Sequence, residues 1–556
     1  MRFRRFLAVP VVAGLLLTGC TKPEDKGESN TAPLPASDVN ARDRSELLPG
    51  GEVRLATESF GSLNPMSADA RTGMDAFRRA VLPSFFRYDD HGVATPNTAY
   101  LESATETAGN PTQVTLKFNP RAVWGDGQPI SANDMIATWQ ACNGRSNGFR
   151  CGSDLRFNQI ADVKAGASQQ EVRITFTKAD PDWRAVFSRV SVLRAESVRD
   201  ANTFNSGWNN GIRKEWTSGP FQIDQYDQTN RVLVTSPNSL WWGDKPLLDR
   251  LTIKEVPREN QARAYTTSEI DVLDLGTSPE LYQAAKTVPD HQVRRAGSTQ
   301  WRQLVLNTGS AGPVNEPEVR KAIQLTLNRS EVGSRAYPNL DFNAAPLNNR
   351  IFLNGQAGYA DNAAKLELTR NLDTARSTLD TAGWKGSDGT RTKDGRPLQV
   401  KLVKIRGVAA SEAETTAIAD QLKQVGFDVQ VSEVALADFD NGSVLSGGQF
   451  DLITMGGVGS RNPTAGLGDR FGSGAEQNYS RLENPEIDQL VDQINNEPAL
   501  PRRQELANQL DTKLWETLPT IPLYQQPQLV GASIRLANLG AQGLATVAWE
   551  NVGYLK

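Results

Sequence analysis

At 556 residues, with 60 basic and 64 acidic side chains and a net charge of −4, the chain is long enough for about three domains of ~150 residues each. No basic cluster stands out to release counterions from a phosphate backbone, which argues against nucleic acid as a partner. Two histidines, His91 and His291, and three cysteines supply too few soft ligands for metal capture, and neither a metal nor another cofactor is implied.

The first predicted element is a leader. Arg2, Arg4 and Arg5 precede an apolar run over 6–17 that ends in Leu17, Thr18, Gly19 and Cys20. The run is too short to cross a bilayer, which takes roughly 20 apolar residues, and reads as a cleaved signal. Its end resembles the lipobox of bacterial prolipoproteins. That resemblance implies removal of residues 1–19 and lipid on Cys20, anchoring the protein to the outer face of the cell membrane. Losing the three leader arginines takes the charge from −4 to −7. Residues 20–48, polar and rich in Pro, Ser and Asn, read as a flexible tether.

From residue 50 the pattern is mixed α/β. Alternating apolar positions predict strands over 51–57 and 113–118. Asp126-Gly127 is a tight-turn signal beside Trp124, read as a core anchor. Ser131 and Asp134 form a capping-box-like pair opening a helix toward Trp139. Cys142 and Cys151 flank a polar loop and are expected to form a disulfide in an oxidising compartment. Ser218-Gly219-Pro220 suggests a point where two backbones cross too closely for a side chain. Further helices are predicted over 373–382, ended by Gly383, and 415–425, ended by Gly426, with a strand over 428–431. None of the nucleophile-elbow, zinc-protease, dinucleotide or phosphate-loop motifs is present, and His91 and His291 sit in turn-like polar contexts. Nothing argues for an enzyme.

Collinear segments resemble the extracytoplasmic solute-binding proteins of the oligopeptide, dipeptide and nickel type that serve ABC transporters. They include 50–55, Leu63-Asn64-Pro65, the run 124–134, 217–221, 237–246, 268–272, 304–307, 317–322, 422–426, 449–452 and 521–524. The resemblance spans the whole body and implies an α/β, two-lobed periplasmic-binding-protein-like fold of the large peptide-binding type with an extra subdomain. Its expected division is 49–80, 196–300 and 516–556 as the first lobe, 81–195 as a subdomain packed on it, and 301–515 as the opposing lobe. The implied partners are a small solute or peptide and an ABC permease, with the body expected as a monomer.

The site departs from the family pattern. Peptide-binding relatives commonly place an aspartate after the Phe-Asp-Leu strand to pair with the ligand's amino terminus, whereas here the neutral Asn462 precedes Pro463. Asp451 and Asp469 are the available substitutes. Gly456, Gly457 and Gly459 are expected to expose backbone amides from a loop, with Ser460 and Arg461 beside them, Arg461 clamping an acidic group. Asn64 and Asn307 complete the ligand-binding candidates that the resemblance suggests. Import of a peptide or similar elongated polar solute is the leading expectation. The alternative is a lipoprotein of this fold acting as an interaction factor in cell-envelope glycolipid assembly.

Overall fold

The computed structural model describes residues 32–107, 109–187, 189–386 and 389–556. The leader, Cys20 and the first part of the expected tether lie outside the described residues.

The chain enters through β1 (Glu52–Thr57), whose Val53 is fully buried. It then leaves to build a separate sheet from β2 (Leu101–Thr107), β3 (Gln113–Phe118), β4 (Ile160–Ala165) and β5 (Glu171–Phe176), in the order β2-β3-β5-β4, all antiparallel. The predicted alternation holds in β3, where Val114, Leu116 and Phe118 point into the core. Between β3 and β4 lies α1 (Ala132–Cys142), opened by the expected capping box of Ser131 and Asp134. Asp134 also accepts the indole N–H of buried Trp124 at 3.1 Å, so one carboxylate fixes both the helix start and the core anchor. Gly127 takes φ +83° at the tight turn.

The chain returns through β6 (Phe221–Asp227), β7 (Val232–Pro237) and β8 (Arg250–Glu255), giving a sheet in the order β1-β8-β7-β6 with only β1 and β8 parallel. Gly219 makes the predicted close crossing, since a Cβ there would stand 2.1 Å from the Ala80 carbonyl oxygen. A single apolar core joins this sheet to the 81–195 segment, including Trp124, Trp183, Trp208 and Trp549.

The largest sheet combines β9 (Val272–Asp274), β10 (His291–Leu306), β11 (Gln399–Arg406), β12 (Asp428–Ala435), β13 (Leu452–Val458) and β14 (Thr520–Ser533), in the order β9-β14-β10-β13-β11-β12. β10 and β14, of 16 and 14 residues, pair antiparallel along most of their length and slip register between Gly297 and Trp301. The expected boundary at 300/301 therefore falls inside β10. Val256 to Ala285, assigned to the first lobe, contribute to the core built on the largest sheet. Helix α2 (Ala409–Lys423) covers β11 and starts six residues before the predicted 415. Helix α3 (Leu500–Thr517) leads into β14.

One expectation is corrected. The part of 20–48 that is described does not hang free: Asp38 exchanges backbone hydrogen bonds with Ala541 at 2.8 and 2.9 Å, and its carboxylate accepts the Arg295 amide. Leu47–Leu48 pairs antiparallel with the C-terminal Gly553–Leu555. Composition misleads here because main-chain pairing to an existing edge needs no apolar side chains.

Cys142 and Cys151 are disulfide-bonded, with Cα atoms 5.6 Å apart. Replacing both by serine is expected to lower stability by about 2–3 kcal/mol, the value for a loop this short. Non-reducing peptide mapping and denaturant titration of the double variant check the bond and its worth; free thiols in freshly exported protein contradict it.

Candidate functional site

The 81–195 segment and the opposing lobe meet across two strips of polar contact. In one, the Thr464 hydroxyl donates to the Asp182 carboxylate at 2.7 Å, while Arg503 stands 3.7 Å from the same carboxylate and donates to the Pro181 carbonyl at 3.3 Å. In the other, His91 Nδ1 lies 2.6 Å from the Gly355 carbonyl oxygen, and the Ala357 amide donates to the His91 carbonyl. Between the strips is a cavity of about 350 Å³ whose walls include Glu106, Asp182, Arg184, Phe352, Arg461 and Arg503. A second cavity, of about 220 Å³, lies in the opposing lobe behind residues 458–463 and shares Phe352 and Pro463 with the first. Its walls include Trp301, Val458, Ser460 and Arg470.

Most charges around the larger cavity are already committed. Arg184 stacks 4.2 Å above the Trp183 ring and stands 3.9 Å from Glu106, which also accepts the Trp183 indole N–H. Arg503 spends two more bonds on the carbonyls of Glu497 and Pro498.

The expected ligand residues fare unevenly. Gly456 and Gly457 are not in a loop: they lie in β13, opposite Arg302 and Trp301 of β10. Gly457 is needed there because a Cβ would stand 2.4 Å from the Trp301 indole. Arg461 is not a free clamp. Its Nε donates to the Leu544 carbonyl at 2.7 Å and an Nη to Ala545, and its guanidinium lies 5.3 Å over the Tyr88 ring, so it ties the opposing lobe to the first. Burial, with Arg79 nearby, pushes its pKa down to about 10. Leu544 beside it packs with Trp301, Leu347 and Leu353 in a small apolar cluster spanning the same junction. Asn64 is fully buried, bridging the Phe204 carbonyl and the Met66 amide. Asn307 likewise spans the carbonyls of Gly448 and Phe450 and the Gly309 amide. Both asparagines therefore hold the backbone around them through their side-chain amides. Ser460 borders the smaller cavity and Asn462 the larger; the Ser460 hydroxyl accepts the Asn462 amide, and its carbonyl accepts Gln356. Glu106, Asp182, Arg184, Trp301, Arg470 and Arg503 also line the two cavities and were not singled out from the sequence.

His91 gives this contact with Gly355 a pH dependence. The Gly355 carbonyl first, then the Asp90 and Asp89 carboxylates, raise its pKa above the ordinary value near 6.5. A raised pKa in the joined state means that its contribution is full below the free value and disappears as pH rises through the raised one. Small-angle scattering of ligand-free protein is expected to show a slightly more compact particle at pH 5.5 than at pH 8, by an amount limited by the exposure of this ring. His91→Ala is expected to flatten that difference; an unchanged pH response in the variant contradicts the assignment.

The profile of the bacterial extracellular solute-binding proteins, family 5 (Middle), matches residues 95–479. The chain belongs to this family. The oligopeptide-binding protein OppA of Mycobacterium tuberculosis is 30% identical over 560 residues, covering 99% of this chain and 93% of that one. LpqW of the same species, named a probable monoacyl phosphatidylinositol tetramannoside-binding protein, is 23% identical over 472 residues, 76% of this chain and 70% of that one. Among solved structures, the periplasmic EDTA-binding protein EppA superposes with a TM-score of 0.74 at 22% identity, covering 95% of this chain and all of that one. The murein tripeptide-binding protein MppA, in an unliganded open form, superposes with a TM-score of 0.73 at 18% identity over 94% of this chain and 99% of that one. These neighbours establish the two-lobed fold, and the family is one of extracytoplasmic binding proteins. Among the described residues no helix is long and apolar enough to cross a membrane.

Proposed function

We propose that this family 5 protein is the lipid-anchored solute-binding component of an ABC importer, closing its lobes over a short peptide or a similar elongated polar solute. The observation that carries this reading is the cavity of about 350 Å³ between the 81–195 segment and the opposing lobe, bordered by polar contacts on both sides. A cleft bordered on two sides by hydrogen bonds suits capture and hand-over of a ligand and requires no chemistry on it. The likeness to OppA along nearly the whole chain supports a peptide-like ligand, as does the fold shared with AppA of Bacillus subtilis, solved with a nonapeptide (TM-score 0.64, 18% identity). The neutral Asn462 argues against a free ammonium held at that position. The body acts as a monomer, and its partner is a membrane permease.

Uptake of labelled short peptides by cells lacking this chain, with and without complementation, tests the reading. The account expects uptake to fall and to be restored by the wild type. A second reading, favoured by the relative LpqW and by the altered loop, is an interaction role in envelope glycolipid assembly. Normal peptide uptake together with an altered glycolipid profile selects it. Anchoring is checked separately. Cys20→Ser is expected to abolish fatty-acid labelling and move the protein out of the membrane fraction; undiminished labelling contradicts the assignment.

A further inference from the structure

We infer that the N-terminal strap, residues 34–40, is a latch that holds the lobes in their joined arrangement, whatever solute lies between them. The second half of the strap is fixed to the first lobe. Asp38 pairs with Ala541, the Val39 carbonyl accepts an Arg294 N–H at 3.3 Å, and the Asn40 side-chain amide donates to the carbonyls of Ile534 and Leu536. Its leading half reaches further. The Pro35 carbonyl accepts the Gly297 amide at 3.0 Å, at the point where β10 and β14 slip register. The Ser37 hydroxyl donates to the Asp90 carboxylate at 2.7 Å, in the turn that carries His91. On the other side, the Ala36 methyl faces Gly355 of the opposing lobe, where an added Cβ would stand 3.8 Å from it. The strap therefore touches both sides of the strip formed by His91 and Gly355.

The strap also braces the segment through which the lobes hold each other. A Cβ on Gly543 would stand 2.0 Å from the Ala36 carbonyl oxygen, so the missing side chain lets this segment lie directly against the strap. The next residue, Leu544, packs with Trp301, Leu347 and Leu353, and its carbonyl accepts Arg461 at 2.7 Å. Strap, Leu544 and Arg461 thus form three layers, with the strap on one side of the segment and the opposing lobe on the other. Separating the lobes withdraws Gly355 from Ala36 and Arg461 from Leu544. Contacts made only in the joined arrangement shift the population toward it by the free energy they add there.

The test is native-state hydrogen exchange on the whole mature protein without ligand, read at the Ala357 amide. That amide donates to the His91 carbonyl at 2.9 Å across the strip, so its exchange reports separation of the two sides. Ser37→Ala removes the bond to Asp90 and is expected to speed exchange by about fivefold, the effect of one partly exposed hydrogen bond. A second variant works in the opposite direction. Ala36→Cys combined with Gly355→Cys places two Cβ atoms about 3.8 Å apart, the usual disulfide separation. Its disulfide is expected to form on export and to slow exchange by about tenfold or more relative to Ala36→Ser combined with Gly355→Ser, which carries the same backbone strain without the bond. Unchanged exchange in Ser37→Ala overturns the latch. So does a disulfide that forms without slowing exchange, and so does failure of the two cysteines to pair in folded protein, because the strap then does not meet the opposing lobe. None of these readouts uses a solute, so the latch and the importer reading stand or fall separately.

Discussion

Replacing Glu414 by alanine is expected to lower stability by about 3–5 kcal/mol, the largest effect of any single change considered for this protein. Glu414 lies on α2 with no exposed side-chain surface, and both its oxygens are used. Arg302 of β10 donates to them at 2.9 and 2.7 Å, and Tyr524 of β14 donates at 2.5 Å. Burial opposes the charge on Arg302, yet Glu414 outweighs it and holds the guanidinium above its usual pKa. Removing the carboxylate leaves that cation buried and unpaired, which is why the loss exceeds the net worth of the pair itself. The effect reaches the site, because Arg302 and Trp301 are adjacent on β10 and the Trp301 indole walls the smaller cavity. Urea titration of Glu414→Ala measures it. A loss below about 1 kcal/mol contradicts a buried, committed ion pair.

Asp182→Ala is expected to act on closure more than on folding. Its carboxylate receives Thr464 and faces Arg503, both from the opposing lobe, so these contacts exist only when the lobes are joined. Hydrogen bonds to a charged group contribute about 1.5–3 kcal/mol, and a loss confined to the closed form weakens ligand binding by roughly 10- to 100-fold. Calorimetry with a bound peptide, paired with denaturant unfolding of the ligand-free protein, separates the two effects. Unchanged affinity with a large loss of folding stability contradicts a closing role.

Local signals were legible in the sequence where the structure uses local rules. The alternation of 113–118, the capping box at Ser131 and Asp134, the turn at Gly127 and the helix stops at Gly383 and Gly426 all depend on neighbours within a few positions. The site was far less legible. Gly456 and Gly457 read as an amide-exposing loop, whereas β10 pairs with them as a strand and the missing Cβ of Gly457 leaves room for Trp301. Arg461 looked free because its acceptors, the carbonyls of Leu544 and Ala545, are more than eighty positions away and carry no side-chain signature. Arg503, which no motif in the sequence singles out, is buried against Pro181, 322 positions earlier in the chain. Pairings of that range are set by how the lobes meet, and no local pattern encodes them.

Native mass spectrometry of the mature protein, released gently from its membrane, tests most directly the claim that the lobes close over an elongated polar solute. The account predicts a retained ligand whose fragments include amide-linked residues, or a ligand-free protein that acquires one equivalent when incubated with short peptides. A bare mass that no peptide shifts, or a retained glycolipid in place of a peptide, contradicts it.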